Sequence, residues 1–195
     1  ERRGRAAFRG GRGRAGRMRA RAAARYGILL ALILLLGFLE RQLPPVSTVP
    51  GLRIGLGNSV LLLTLLCFGA GGAWVLAILK PVLCGLLFSG ATGMLYALAG
   101  SACAMLAMMV GARSRRLSPV GVSVLGASAH MAGQMCVSRF MLGSWAALLQ
   151  APLLLAASVA AGIATGVLCR AAMHALRGLD PRIERAVRKM ESAKR

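Results

Sequence analysis

Six long apolar runs, almost free of charged residues, dominate the sequence. They are residues 26–39, 54–70, 73–88, 91–112, 120–142 and 146–172. A helix needs about 20 residues to cross about 30 Å of hydrocarbon, and only elements that satisfy their own backbone hydrogen bonds can do so. The runs lack the apolar–polar alternation of membrane β-strands. The sequence therefore predicts an all-α integral membrane bundle of about six transmembrane helices, of which the second and third are short.

The scarcity of acidic residues excludes several kinds of catalytic site. Only five of the 195 residues are acidic, and Glu40 is the only one between positions 2 and 179. The five cysteines are scattered singly through apolar runs, without the close pairs that zinc sites and redox motifs need. The sequence therefore predicts no catalytic residue, no metal site, no cofactor and no enzymatic activity.

The basic residues predict how the chain is oriented. Of the 25 Lys and Arg residues, 21 lie in residues 1–25, 113–116 and 170–195, which fall on one side of the membrane if there are six spans. Because cytoplasmic segments collect Lys and Arg, both termini are predicted to be cytoplasmic in a multi-pass plasma-membrane protein. The predicted organisation is a basic disordered tail over 1–25, a six-span domain over 26–172 and a basic amphipathic helix over 173–195.

Both basic ends are predicted to contact the membrane surface. The arginine- and glycine-rich residues 1–25 also resemble an RNA-binding tail. Next to a span, contact with anionic lipid is the favoured interpretation, and no specific nucleic-acid partner is predicted. Near the C-terminus, Ile183, Val187 and Met190 form one apolar stripe, which predicts a helix lying on the membrane surface.

A glycine-rich segment before the second span is the first candidate binding element. It contains Arg53, Gly55, Gly57 and Asn58. A glycine-rich turn into a helix can direct backbone N–H groups at an anion, and Asn58 could either cap the helix or bind a ligand. Close packing of helices through small residues is the alternative interpretation.

Polar residues within the spans are the other candidates, because burying them in lipid is costly unless they face a cavity or each other. His130 and Gln134 are four residues apart and share a helix face. Arg139, nine residues after His130, is predicted to project near the same stripe and closer to the external end. Lys80 precedes Pro81 in the middle of the third run, where either Glu40 or an anionic group of a substrate could be its partner. The alternative interpretation is that the side chains of His130 and Gln134 form hydrogen bonds to other helices.

Several motifs follow one another in a fixed order: Leu39-Glu40-Arg41, Pro44-Pro45, Pro50 to Asn58, Leu86 to Gly90, Tyr96-x-Leu98-Ala99-Gly100 and Gly121 to Gln134. Their order, over about residues 25–172, resembles the Gx transporter family, which is also labelled heptaprenyl diphosphate synthase component I. The family is similar in layout to the S components of energy-coupling-factor transporters, six-helix proteins that capture a vitamin-like solute from outside.

This resemblance implies a solute-binding subunit that obtains energy from an energy-coupling membrane subunit and its ATPases. In S components, small residues in the first span dock the coupling subunit, and this chain has a similar pattern at Ala20, Ala23, Ala24, Gly27 and Ala31. Intramolecular packing would use the same pattern. The sequence does not name the solute: a vitamin, a flavin, a quinone precursor and an isoprenoid diphosphate all fit a basic, partly apolar pocket.

The second family label implies prenyl transfer, which the residues do not support. That reaction needs aspartate-rich motifs to hold magnesium against a diphosphate, and the first aspartate of this chain is Asp180. The alternative function is therefore a non-catalytic membrane subunit of heptaprenyl diphosphate synthase, in isoprenoid or menaquinone synthesis.

Overall fold

Helices account for nearly all of the part of the chain that the structure describes. The structure is a computed structural model and describes residues 2–42, 55–114, 117–143 and 149–192. A π-helical segment, Gly85–Ser89, separates α3 from α4. The helices are α1 Arg2–Gln42, α2 Leu56–Phe68, α3 Ala70–Cys84, α4 Gly90–Arg113, α5 Pro119–Leu142, α6 Ala151–Ala175 and α7 Pro181–Ser192. Each of the six predicted apolar runs coincides with a helix, so the predicted all-α membrane bundle is confirmed.

Four helical stretches of the described residues are long and apolar enough to cross a membrane, and α2 is a shorter apolar helix. The four are Ala20–Glu40, Ala70–Arg113, Pro119–Leu142 and Ala151–Ala175. The second of these folds back on itself, because Trp74 Nε1 donates to Met109 Sδ over 3.0 Å. A straight helix would separate these residues by about 50 Å. The stretch is therefore an antiparallel hairpin of α3 and α4, which turns at the π-helical segment and at Gly90, where φ is +69°.

The N-terminal residues differ from the prediction of a disordered tail. Residues 2–25 are helical and continue directly into the first span, giving a single helix of 41 residues. Arginine and alanine both have high helix propensity. Once the apolar span has formed a helix, each further turn needs no new nucleation, so the helix can extend into the basic segment.

Large aliphatic side chains fill the centre of the bundle. The most buried include Ile33 on α1, Leu61 and Leu62 on α2, Leu76 on α3 and Met105 on α4, each at most 1% exposed. Other large apolar side chains of the same helices face outward, such as Val75 and Val110, which are 52% and 69% exposed. Outward-facing apolar residues are typical of a surface whose solvent is lipid.

Small residues bring α5 and α6 into backbone contact. A Cβ atom added at Gly162 would lie 2.7 Å from the Cα of Val124, and one added at Gly166 would lie 2.7 Å from the Cα of Val120. Between these positions the hydroxyls of Ser123 and Thr165 are 2.8 Å apart and share a hydrogen bond. Glycine and hydroxyl residues of this kind commonly join membrane helices.

The C-terminal helix α7 packs against the bundle rather than exposing its apolar stripe to a membrane surface. Ile183 and Val187 are 5% and 0% exposed and belong to the same hydrophobic core as α2 and α6. Asp180 begins this helix by accepting the N–H of Arg182 over 2.8 Å, and it pairs with Arg25 of α1 at 3.4 Å. The apolar stripe that the sequence assigned to a membrane surface is therefore used within the protein.

Candidate functional site

All six apolar helices contribute to one partly open cavity of about 570 Å³. Its walls are formed by the C-terminal ends of α1, α3 and α5 and the N-terminal parts of α2, α4 and α6. Because successive helices alternate in direction, these parts meet at one end of the bundle. Arg113 and α7 lie at the opposite end. Ligand pockets between helices typically have volumes of about 300–1,000 Å³.

The start of α2 is held by a carboxylate from α1. Glu40 Oε1 accepts the N–H of Gly55 at 2.5 Å, and its Oε2 accepts the N–H of Leu56 at 3.3 Å. Gly55 has φ +79°, a left-handed conformation that favours glycine. Asn58 makes no side-chain cap of this helix, contrary to one of the two predicted roles. Glu40 satisfies N–H groups that the first turn of α2 would otherwise leave unpaired.

Lys80 and Asn58 form the polar contact between α3 and α2. Lys80 Nζ donates a hydrogen bond to Asn58 Oδ1, and both residues line the cavity. Gly57 brings this turn of α2 close to α1, because a Cβ added there would lie 3.3 Å from the carbonyl oxygen of Ile33. The sequence proposed Glu40 or an anionic group of a substrate as the partner of Lys80. Glu40 lines the same cavity, and both of its oxygens accept N–H groups of the α2 backbone.

His130 and Gln134 enter the cavity from α5, as their four-residue spacing predicted. They lie against Gly100 of α4, where an added Cβ would be 2.8 Å from the imidazole Cε1 and Nε2 and 3.0 Å from Gln134 Cγ. His130 Nδ1 is buried and has no hydrogen-bond partner among the described residues. Glycine at position 100 thus makes room for both side chains.

One described candidate, Arg139, lies apart from this group. Arg139 does not line the cavity. A helix turns about 100° per residue, so Arg139 lies about 140° around α5 from Gln134. The prediction that it shares their stripe is therefore wrong. Arg53 lies outside the described residues. The remaining six candidates all line the cavity: Gly55, Gly57, Asn58, Lys80, His130 and Gln134.

Sequence reasoning missed several polar groups of the cavity wall. Ser138 lies four residues after Gln134, so the same spacing argument could have found it. Ser101 is directly next to Gly100, and Tyr96 is one turn before Gly100. Gln150 comes from the start of α6. These residues are uncharged, so their residue type is a weaker signal of a site than the rarer charged and imidazole groups.

Two charged side chains of opposite sign occur among the described residues of the cavity wall. They are Glu40 and Lys80. Met131, Met135 and Leu154 add an apolar part to the wall. The described residues include no cluster of three or more His, Cys, Asp or Glu that could hold a metal ion. The wall therefore suits an organic solute with both polar and apolar parts.

The predicted docking pattern on α1 lies on the outside of the bundle. Its five small residues are all exposed: Ala20, Ala23, Ala24, Gly27 and Ala31. A Cβ added at Gly27 would have no atom within 4 Å, so the described part of the chain does not pack against this position.

Comparison with known proteins identifies the family. The family model described as heptaprenyl diphosphate synthase component I matches residues 29–172. The chain belongs to this family. The match contains four of the six cavity helices in full, α2 to α5, together with most of α6 and most of the apolar part of α1. Searches of the curated proteins and of the solved structures found no match.

Membership of the heptaprenyl diphosphate synthase component I family agrees with the resemblance drawn from the sequence motifs. The matched residues include Gly100, His130 and Gln134, which meet in the cavity, and Glu40, which holds α2. The exposed Ala20, Ala23, Ala24 and Gly27 precede the matched range.

Proposed function

We propose that this chain is the membrane-embedded solute-binding subunit of a transporter and captures a small organic solute from the external side. The observation behind this proposal is the cavity of about 570 Å³ that all six apolar helices line, with polar side chains in its wall. Polar groups are costly inside a membrane, and their convergence on one cavity indicates a functional site. A solute of vitamin, flavin or quinone-precursor size suits this volume.

Mass spectrometry of the gently purified protein tests this function directly. We expect a small organic molecule to be retained, and to be released when the cavity is altered. Adding the identified molecule back should raise the thermal unfolding temperature of the protein, because a ligand that binds only the folded state stabilises it. A purified protein that binds no small molecule would contradict the proposal.

The external position of the cavity is inferred from the charge distribution. Arg113 and the basic C-terminal region lie at the end of the bundle opposite the cavity, and basic residues favour the cytoplasmic side. In a cysteine-free background of the plasma-membrane protein, single cysteines at positions 47 and 144 should react with an impermeant thiol reagent added outside. Cysteines at positions 114 and 192 should react only after permeabilisation, and external labelling at 114 would reverse the orientation.

Energy coupling is proposed to come from partner proteins. The exposed small residues of α1 offer a surface that another membrane helix can approach closely. Replacing Gly27 with Leu should prevent co-purification of a coupling membrane subunit and its ATPases while leaving solute binding intact. Leu79 on α3 is similarly exposed, and Leu79→Ala provides the control on another helix. Unchanged co-purification of the Gly27 variant would remove this surface from the proposal.

A second candidate function follows from the description of the matched family. Under this second proposal, the chain is a non-catalytic membrane subunit of heptaprenyl diphosphate synthase. Co-purification of a soluble prenyl synthase, together with an empty cavity, would favour this function over transport. The purified chain alone should not elongate prenyl diphosphates under either proposal, and turnover above a heat-treated control would refute both.

A further inference from the structure

The arrangement of donors around the start of α2 carries information about the chemistry of the solute. Lys80 has only N–H donors, so the Asn58 atom that faces it must be the amide oxygen. The Asn58 amide nitrogen therefore points away from Lys80, toward Gly55, where an added Cβ would lie 3.1 Å from Nδ2. The lysine thus orients the amide so that its N–H donors lie beside a residue of the cavity wall.

Glu40 does not turn this end of the cavity into a binding site for hydrogen-bond donors or cations. Both of its carboxylate oxygens accept backbone N–H groups at the start of α2. A carboxylate with these two hydrogen bonds is less available to a cationic solute, which would also be repelled by Lys80. The groups at this end of the cavity therefore favour a ligand that accepts hydrogen bonds and has negative charge.

The charge balance of the wall limits how much negative charge fits. Among the described residues of the wall, Lys80 is the single ammonium, and both oxygens of Glu40 already accept backbone N–H groups. A diphosphate has several negative charges, and burying them without several cationic partners is costly. A single carboxylate next to one ammonium can be paired and hydrogen-bonded at the same time.

We propose that the solute is a monocarboxylate whose carboxylate binds Lys80 and the amide N–H of Asn58. This inference rests on the proposed function and defines the substrate class of the same cavity. The uncharged remainder of the solute lies toward α4 and α5, where Tyr96, Ser101 and Gln134 provide hydrogen bonds and the methionines provide apolar contact. The carboxylate end is thus bound by α2 and α3, and the neutral end by α4 and α5.

Matched pairs of probes test this assignment on the detergent-purified full chain. The pairs are nicotinate with nicotinamide, pantothenate with panthenol, and biotin with biotin amide, which differ at the acid group. We expect at least one acid to bind, and to bind at least tenfold more tightly than its neutral counterpart in calorimetric titration. Binding of none of the acids, or equal binding of acid and neutral partner, would overturn the proposal.

Variants locate the acid-binding group. Lys80→Met should abolish the preference for the acid, whereas Lys80→Arg should keep part of it. Lys189→Met removes a lysine from the exposed face of α7 and is the matched control, for which the preference should be unchanged. Asn58→Asp places a carboxylate next to Lys80 and should also abolish the preference, while the new ion pair keeps the protein folded. A Lys80→Met protein that is folded and still prefers the acid would overturn the assignment.

Two further outcomes separate this inference from the proposed function. If the molecule retained by the purified protein has no acidic group, the substrate class is wrong and solute capture stands. If geranyl diphosphate binds more tightly than every carboxylate probe, the charge argument is wrong. Failure of the proposed function itself would appear as retention of no solute together with co-purification of a prenyl synthase.

Discussion

Helices α4, α5 and α6 meet through glycines, whereas α1, α2 and α3 meet mainly through large side chains. In the first group, a Cβ at Gly133 would lie 2.8 Å from the carbonyl oxygen of Ala99, and the contacts of Gly162 and Gly166 are equally close. In the second group, a Cβ at Gly57 would lie 3.3 Å from the carbonyl oxygen of Ile33, and one at Gly72 would press on the ring of Tyr26. Gly27 and Gly71 of the same helices have no atom within 4 Å of an added Cβ. Close backbone packing leaves little room for side chains in between.

The two groups also contribute differently to the cavity. Helices α1 to α3 supply its charged groups, Glu40 and Lys80, together with Asn58, which bonds to Lys80. Helices α4 to α6 supply uncharged hydrogen-bonding groups. The difference indicates that α4 to α6 form a closely packed wall, while the charged end of the site depends on hydrogen bonds among α1, α2 and α3.

The strongest test of the packing difference is a valine at Gly162. Even the first added carbon would lie 2.7 Å from the Cα of Val124, so α5 and α6 must separate. We expect a loss of about 1–3 kcal/mol in the free energy of unfolding, the usual cost of overpacking. Gly71→Val on the exposed side of α3 is the control. Similar unfolding temperatures for the two variants in detergent would show that backbone contact does not distinguish the groups.

Alanine at Gln134 and at Asn58 tests the division of roles within the cavity. Gln134→Ala should weaken solute binding by about 1–3 kcal/mol, the cost of leaving a buried polar contact unpaired. Its stability should change by about 0.6 kcal/mol or less, the mean for a hydrogen bond between membrane helices. Asn58→Ala should reduce both affinity and stability, because Lys80 loses a hydrogen-bond acceptor.

Measuring affinity and thermal stability on the same samples separates these effects. If Gln134→Ala loses stability while its folded fraction binds normally, Gln134 is a packing group. If Asn58→Ala changes only affinity, the contact between Asn58 and Lys80 does not hold α2 against α3.

The variant Gly100→Ala should disturb the cavity through α4, one of the three closely packed helices. The added carbon would press on His130 and Gln134, which can shift at some cost to their position in the cavity. We expect about a tenfold loss of solute affinity, which equals about 1.4 kcal/mol. Gly111→Ala on the same helix meets methyl groups of Leu117, Val122 and Leu125 at 3.2–3.6 Å, outside the cavity, and should bind normally. Equal affinity for both variants would show that Gly100 does not position the two side chains.

The smallest effect is expected at the end of the bundle opposite the cavity. Asp180→Asn should keep the start of α7, since asparagine is a good N-cap, and lose only the ion pair with Arg25. Partly exposed ion pairs contribute about 0–1 kcal/mol, so the unfolding temperature should fall slightly, and less at high salt. Asp180→Ala loses the helix cap as well, so its unfolding temperature should fall further. Equal losses for Asn and Ala would assign the effect to the ion pair alone.

The sequence predicted the helical architecture, and six of its eight candidate residues line one cavity, because both results depend on local properties. Hydropathy identified all six apolar helices, and helical spacing placed His130 and Gln134 together. The prediction for Arg139 was wrong, because a rotation of about 100° per residue places it on another side of α5. Ser138 was overlooked although its spacing from Gln134 was equally informative.

Contacts between distant residues could not be read from local patterns. The apolar stripe of Ile183 and Val187 predicts an amphipathic helix, but it does not say whether lipid or protein covers the stripe. Likewise, Lys80 needed a polar partner, and several were compatible with the sequence. The pairing with Asn58 depends on how α2 and α3 are positioned against each other.

The sequence by itself determined that the chain is an all-α membrane protein, because apolar length and the cost of unpaired backbone groups in lipid leave few alternatives. It also determined the turn at Gly55, where a left-handed backbone favours glycine. Only the tertiary structure decided that Glu40 holds the start of α2, that Lys80 bonds to Asn58 and that Gly100 makes room for His130. These contacts join residues 15 to 30 positions apart. They depend on the distances between helix axes, which side-chain packing fixes only when the whole bundle is assembled.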